Sequence, residues 1–329
     1  MPRDDDVARW IRRGSCTVGT GGAGARLDAF LARTFPYRSR TSWAALIRHG
    51  RIRLNDATAR PARSLKPGDR IVYLPDPRPE PKVSESFRIL YEDEDILAVR
   101  KPANLPVHPS GRYFRHTLLY LLLERRGESL DHTELRIVHR LDRETSGLIL
   151  FGKGKQAAST LSQQFENREV RKTYLAMVHG CPREDRFLID EPIGRAEHSP
   201  VRKAMCVRPD GRASRTTVRV LRCGPEHALL AALPHTGRLH QIRVHLQSIG
   251  HPIIGDKVYG LDPRLFLRFV EGELSRRDRE RLLWRRQALH AWKLTFRHPR
   301  DHRRMRIRAP VGAGWRRLMA RVGLERPCE

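Results

Sequence analysis

No apolar run in this chain approaches the length of a membrane span, so the sequence offers no transmembrane helix. Its start, Met1-Pro2-Arg3-Asp4-Asp5-Asp6, is acidic where a secretory or transit peptide would be basic, and no hydrophobic segment follows. Cysteine is scarce. Cys16, Cys181, Cys206, Cys223 and Cys328 are widely spaced, odd in number and form no C-x-x-C pair. That pattern implies neither a disulfide framework nor a zinc knuckle, and it points to a reducing compartment. The expectation is a cytoplasmic monomer with no membrane contact. Acids are also in short supply: 37 Asp+Glu stand against 64 Lys+Arg, a formal net charge of +27. Such an excess suits a polyanion, because neutralised phosphates release their condensed counterions; nucleic acid is the partner class expected.

Cofactor signatures begin in three places and are completed in none. Gly19-Thr20-Gly21-Gly22-Ala23-Gly24 has the outline of a dinucleotide fingerprint. Only a weak strand precedes it, and no acid stands about twenty residues on to hold a ribose, so it reads as a loop. Gly147 and Gly152-Lys153 outline a P-loop, but Gly154 replaces the magnesium-binding hydroxyl, and Leu148-Ile149-Leu150-Phe151 is a strand core. His235, His240, His245 and His251 are spaced five, five and six apart, unlike the four-residue pairing of a helical zinc site. No metal and no cofactor are expected.

Two separate bodies are legible in what remains. Leu27, Phe30 and Leu31 fall at helical spacing. Ser39 can cap a second helix with Trp43, Leu46 and Ile47 on its apolar face, and Gly50 ends it. Arg51 to Asn55 and Arg70 to Leu74 read as the two strands of a hairpin. Arg33, Arg38, Arg40, Arg48, Arg51 and Arg53 make this module basic. Pro75, Pro77, Pro79 and Pro81 then form an extended, semi-rigid linker. Beyond it, strands at 87–91 and 96–99, a buried helix at 117–123, a buried strand after Gly147 and a helix over 155–165 lead into a strand at 171–178. Alternation returns over 216–221, an arginine-heavy helical stretch covers 264–286, and a strand containing Leu289, Leu294 and Phe296 precedes a short terminal helix.

The densest segment is His139-Arg140-Leu141-Asp142-Arg143-Glu144-Thr145-Ser146-Gly147, which sets one carboxylate among arginines just ahead of a buried strand. Charge in such a place is costly unless it is used. The string resembles the signature of the RluA-type pseudouridine synthases, which isomerise uridine in RNA. Thr236-Gly237-Arg238-Leu239-His240-Gln241-Ile242-Arg243-Val244-His245 is similar to a second motif of that family, and Lys172-Thr173-Tyr174 to a third. The basic module resembles the alpha-L (ribosomal S4-type) RNA-binding domain, through Arg26-Leu27-Asp28, the stretch from Ser39-Arg40 to His49-Gly50, and Pro67-Gly68-Asp69. One departure from the family is Asn104, where a glycine is common.

The resemblance implies an α+β protein: an RNA-binding domain at 17–75 with a helix-helix-hairpin fold, a linker at 76–84, and a catalytic domain at 85–320 on a mixed, largely antiparallel sheet. It implies Asp142 as the catalytic carboxylate, Arg243 as its ionic partner, Tyr174 as the ring that stacks on uracil, and Arg140 as the residue filling the gap left by a flipped base. The substrate implied is a uridine of large-subunit (23S) ribosomal RNA, with transfer RNA as the alternative. Isomerising uridine means breaking the glycosidic bond, turning the free base and rejoining it through carbon, after flipping the nucleotide from its stack. A carboxylate can attack the anomeric carbon, attack the uracil ring or remove the ribose 2′ proton, and the residues do not choose among these. A non-catalytic RNA-binding or ribosome-assembly factor would gain nothing from a buried carboxylate near phosphates. An RNA hydrolase would want a second carboxylate or a metal cluster.

Overall fold

The computed structural model describes residues 14–35, 39–74, 80–110, 113–128, 133–262 and 264–324. Arg38, Pro75, Pro77, Pro79 and Cys328, all used above, lie outside them. The chain divides into two compact units, Met1–Pro81 and Lys82–Glu329, each with its own core.

In the first unit β1 (Gly14–Thr17) precedes a loop, and two helices follow, α1 (Leu27–Thr34) and α2 (Arg40–Arg48). The Ser39 hydroxyl accepts from the Ser42 N–H and caps α2. Then come β2 (Ile52–Leu54), β3 (Ala57–Thr58) and β4 (Arg70–Tyr73). These strands form a sheet in the order β1-β4-β2-β3, wider than the hairpin read from the sequence, because β1 adds to the open edge of β4. Leu27, Leu31, Trp43, Ile47 and Ile52 are buried at the helix–sheet seam. Asp28 is buried too, and Arg26 and Arg40 bind the same oxygen at 3.0 and 3.2 Å. This contact joins the Arg26-Leu27-Asp28 segment to Arg40 at the start of α2.

The second unit begins with β5 (Arg88–Glu92) and β6 (Ile96–Lys101), then α3 (Leu118–Arg126), capped by Thr117. After β7 (Leu135–Ile137) come β8 (Ser146–Lys153), α4 (Gly154–Glu166), β9 (Arg171–His179) and β10 (Arg186–Asp190). A small pair, β11 (Ile193–Arg195) and β12 (Met205–Val207), leads to β13 (Arg215–Cys223), β14 (His227–Pro234) and α5 (Gln241–Ser248). The chain ends through α6 (Arg264–Glu271), α7 (Arg276–Leu282), β15 (Leu289–Arg297), β16 (Arg304–Arg308) and α8 (Ala313–Arg321). Among the described residues the main sheet runs β10-β13-β14-β9-β15-β8-β6-β5, with β7 on β8 and β16 on β15. Only the β8–β15 contact is parallel, so the fold is α+β on a mixed, mostly antiparallel sheet.

The β8–β15 contact governs the rest of the unit. Ser146 and Gly147 face His290 and Ala291 there, after which β7 takes over the edge of β8. Gly147 has φ +117°, and a Cβ on it would collide with the Ala291 carbonyl. At the fork between the two partners the Leu150 N–H would lack an acceptor, and the His139 ring supplies one through Nε2 at 2.9 Å. Burial, with Lys172 nearby, lowers the His139 pKa to about 3, so the ring stays neutral and able to accept.

One sequence reading is corrected. Cys181 and Cys223 form a disulfide, with Cα atoms 5.6 Å apart. They are 42 residues apart in sequence, but β9 and β13 both flank β14, and both cysteines lie at the same end of it. Cys16 and Cys206 are free. The argument for a reducing compartment from cysteine spacing therefore lapses. Among the described residues no helix is long and apolar enough to cross a membrane.

Candidate active site

The loop between β7 and β8 carries Asp142 over the start of β8, and the four residues after Asp142 are tied down. The Lys101 ammonium, fully buried at the end of β6, donates to the carbonyls of Pro102, Leu105 and Arg143 at 2.9, 2.8 and 3.1 Å. Arg143 donates to the Tyr113 hydroxyl at 2.6 Å. Glu144 accepts from Lys257 at 2.8 Å, Thr145 accepts from Gln287, and Ser146 bonds His290 at 2.8 Å. Asn104, at φ +60°, makes the turn after β6 in the left-handed conformation that suits glycine best and that asparagine tolerates better than most residues.

Asp142 itself is left facing Arg243. The first turn of α5 presents the guanidinium, whose Nη1 donates to Asp142 Oδ2 at 2.8 Å. The other edge of the same group forks onto Asp256, with Nε and Nη2 at 2.6 and 2.9 Å from its two oxygens. Asp256 has no exposed side-chain surface, and it also accepts from the N–H groups of Val258 and Tyr259. The Tyr259 ring lies under Arg243 at 4.8 Å. One guanidinium thus spans two carboxylates in planar geometry that a lysine could not copy.

Burial pushes the Asp142 pKa up, but the Arg243 charge, His240 and the Arg243 hydrogen bond more than offset it, leaving it below the usual carboxylate value. Arg243 supplies that effect at neutral pH, because burial and Arg243 lower His240 to about 4 and leave its ring uncharged. His240 sits in the left-handed region at φ +59°, bonds the Tyr259 hydroxyl at 2.7 Å through Nδ1, and brings Nε2 to 3.8 Å from Asp142.

Asp142 and Arg243 stand in the wall of a cavity of about 840 Å³ that Tyr174, Leu289, Arg140 and Lys172 also line. Tyr174 comes from β9, between Ala232 of β14 and Ala291 of β15. Burial, and then the Asp142 charge, raise its pKa above the usual phenol value, so it remains a neutral ring. Arg140 is exposed at the cavity rim. The structure therefore brings Asp142, Tyr174, Arg243 and Arg140 to one cavity large enough for an extruded nucleotide. An ionised carboxylate beside a neutral aromatic face can act on a base as nucleophile or proton acceptor.

Sequence reasoning passed over Lys101, Tyr259 and the role of Asp256. Asp256 was visible as the lone acid close to the histidine-rich segment, which was the available signal. The four histidines do not converge: His235 bonds Thr217, His245 bonds Thr216 and the Glu191 carbonyl, and His251 bonds the His179 carbonyl. Among the described residues Asp93, Asp95 and His298 could share an ion, but Tyr91, His298 and Arg300 already occupy those carboxylates. In the basic stretch from Arg195 to Arg222, Arg208 is held by Glu197 and Asp210, which removes it as a free phosphate contact.

Comparison with known proteins gives a consistent result. The chain matches the RNA pseudouridylate synthase family over residues 95–248 and the S4 domain over residues 25–71. It is 41% identical over 244 residues to an uncharacterized RNA pseudouridine synthase of Aquifex aeolicus, covering 71% of this chain and 77% of that one. It is 35% identical over 310 residues to ribosomal large subunit pseudouridine synthase D of Neisseria meningitidis serogroup B, covering 92% and 80%. The solved structure of human RNA pseudouridylate synthase domain containing 1 aligns with a TM-score of 0.57 at 29% identity, over 73% of this chain and 90% of that one.

Proposed function

The chain belongs to the RluA-type RNA pseudouridylate synthase family and is an RNA pseudouridine synthase; from that premise we propose that Asp142 is its catalytic carboxylate and large-subunit (23S) ribosomal RNA its substrate. The observation that carries the site assignment is the guanidinium of Arg243 bridging Asp142 and Asp256 in the cavity wall. Such a bridge keeps Asp142 charged and aimed, and Asp256 fixes the guanidinium so that it cannot follow the substrate instead. Tyr174 stacks on the freed uracil. Stacking has no hydrogen-bond register and survives rotation of the base, whereas a polar clamp would oppose it. Arg140, exposed at the rim, takes the space vacated by the flipped base.

Ribosomal RNA is favoured over transfer RNA by two features: the S4 domain ahead of the catalytic unit, and the name of the Neisseria relative. The S4-containing unit is proposed to bind structured RNA by itself.

Asp142→Asn tests the assignment. The change is nearly isosteric, removes the charge and keeps an oxygen for Arg243. A transcript of large-subunit ribosomal RNA carrying tritium on uracil carbon five is the substrate, and its release in a single turnover is the readout, with RNA binding measured alongside. The variant should bind RNA as the wild type does and release no tritium, because neither nucleophile nor base remains. Robust release would sink the role given to Asp142. No release by the wild type itself would remove ribosomal RNA as the substrate.

A further inference from the structure

The β15–β16 ladder places cations opposite cations. Lys293 faces Arg308, Thr295 faces Arg306 and Arg297 faces Arg304, while Arg171 of β9 lies beside Thr295 on the other side. Like charges directly opposite one another weaken a strand pair. The neighbouring acids do not relieve them: Arg300 takes Glu94 and Asp95, and Arg303 lies with Asp93 and Asp301. Among the described residues no acid pairs with Lys293, Arg297, Arg304, Arg306 or Arg308. Trp292 lies among these cations, with Lys293 and Arg308 at 5.3 and 5.5 Å from its ring centre. Burial, followed by Arg306 and Arg308, lowers the Lys293 pKa.

This face is joined to the catalytic cavity by one residue. Arg168, just past the end of α4, has φ +62°, a position that glycine fills at least cost. Its exposed side chain lines both the 840 Å³ cavity and a second cavity of about 550 Å³, which continues along Arg171, Thr295, Arg297 and Arg304. The acid in that lining, Glu169, accepts from Asn167. A strained backbone that keeps an arginine between two cavities, beside a ladder of unneutralised cations, suits a ligand with regularly repeated negative charge.

We propose that Arg168, Arg171, Arg297, Arg304, Arg306 and Arg308 form a phosphate track along which the RNA strand runs on from the target uridine. The track rests on the reading of the cavity given above. Its contacts are with the backbone, so it adds affinity for any sequence and tethers the strand as the nucleotide is flipped.

The test uses the full chain with Arg297→Gln, Arg304→Gln and Arg306→Gln combined. Poly(U) is the binding probe, and the tritiated ribosomal transcript is the substrate. The slope of log affinity on log salt should become shallower by about two, from ~0.7 per single-strand phosphate contact. KM for the transcript should rise roughly tenfold, with the loss falling on KM rather than kcat. The thermal midpoint should hold or rise, because the Arg297–Arg304 repulsion is gone. Arg306→Gln alone faces only Thr295 and should flatten the slope by about a third as much, which covers the case of a misfolded triple variant. Wild-type slope and KM in both variants would overturn the track. Should the wild type fail to turn over the transcript, the substrate assignment fails separately, and the poly(U) slopes still decide the track.

Discussion

At Asp142 two opposed effects meet, burial against the charged form and Arg243 for it, and Arg243 prevails. The folded pKa lies below the unfolded value of about 3.9. The stabilisation is therefore present above that value and lost as the pH falls through the folded one. The acid limb of the wild-type single-turnover rate should accordingly lie below the ordinary carboxylate range. Arg243→Lys keeps a positive charge but cannot fork onto Asp256 while also reaching Asp142. Its acid limb should lie at higher pH than the wild-type limb. Superimposable pH–rate profiles would show that the guanidinium bridge does not set the ionisation of Asp142. Lys101 acts differently, through three backbone carbonyls and no carboxylate, so it is a positioning residue for the loop that carries Asp142.

Among the elements, β8 and β15 matter most, because their short parallel contact sets the loop that carries Asp142 against the wall that includes Leu289. Gly147 permits the contact by its positive φ and its missing side chain. Gly147→Ala should destabilise the chain by about 2–4 kcal/mol, combining overpacking with an unfavourable φ. Urea unfolding measures it, and a loss below about 0.5 kcal/mol, the range of neutral surface changes, would mean that β15 can step aside. The Ser146–His290 bond lies within the same contact and the Thr145–Gln287 bond just before it, so the strain should reach Asp142 and lower turnover as well. The disulfide between Cys181 and Cys223 ties the sheet where β9 and β13 end and β14 begins.

For the whole molecule, the +27 charge is shared by two compact units. The first unit has Leu27, Trp43 and Ile52 in a core of its own. A chain starting at residue 82 should therefore remain folded and keep its turnover on a short stem-loop containing the target. Its binding to structured ribosomal RNA should be weaker and less dependent on salt, because the first unit's phosphate contacts are gone. Filter binding across a salt series, run with both substrates, separates the outcomes. Equal losses on both would show that residues 1–81 belong to the catalytic machinery.

Local pattern alone carried the helices at Leu27, Ser39 and Lys155 and the buried strand after Gly147, because period and capping are written in neighbouring residues. It also carried the family and the α+β class, through two motifs long enough to be read as strings and a third, shorter one. Asp142, Tyr174 and Arg243 were named from those motifs, but the motifs are separate stretches of chain, and neither spacing nor composition says that they meet. Folding brings them together: β9 and β15 run side by side, and α5 turns Arg243 back across 101 residues onto Asp142. Asp256, Lys101 and Tyr259 acquire their parts only from that closure, since a buried acid, a carbonyl clamp and a ring beneath a guanidinium are relations in space. The same holds for the Cys181–Cys223 pair and for the cations facing one another across β15 and β16. Sequence distance carries no record of strand order, and strand order is set by the packing of the whole sheet.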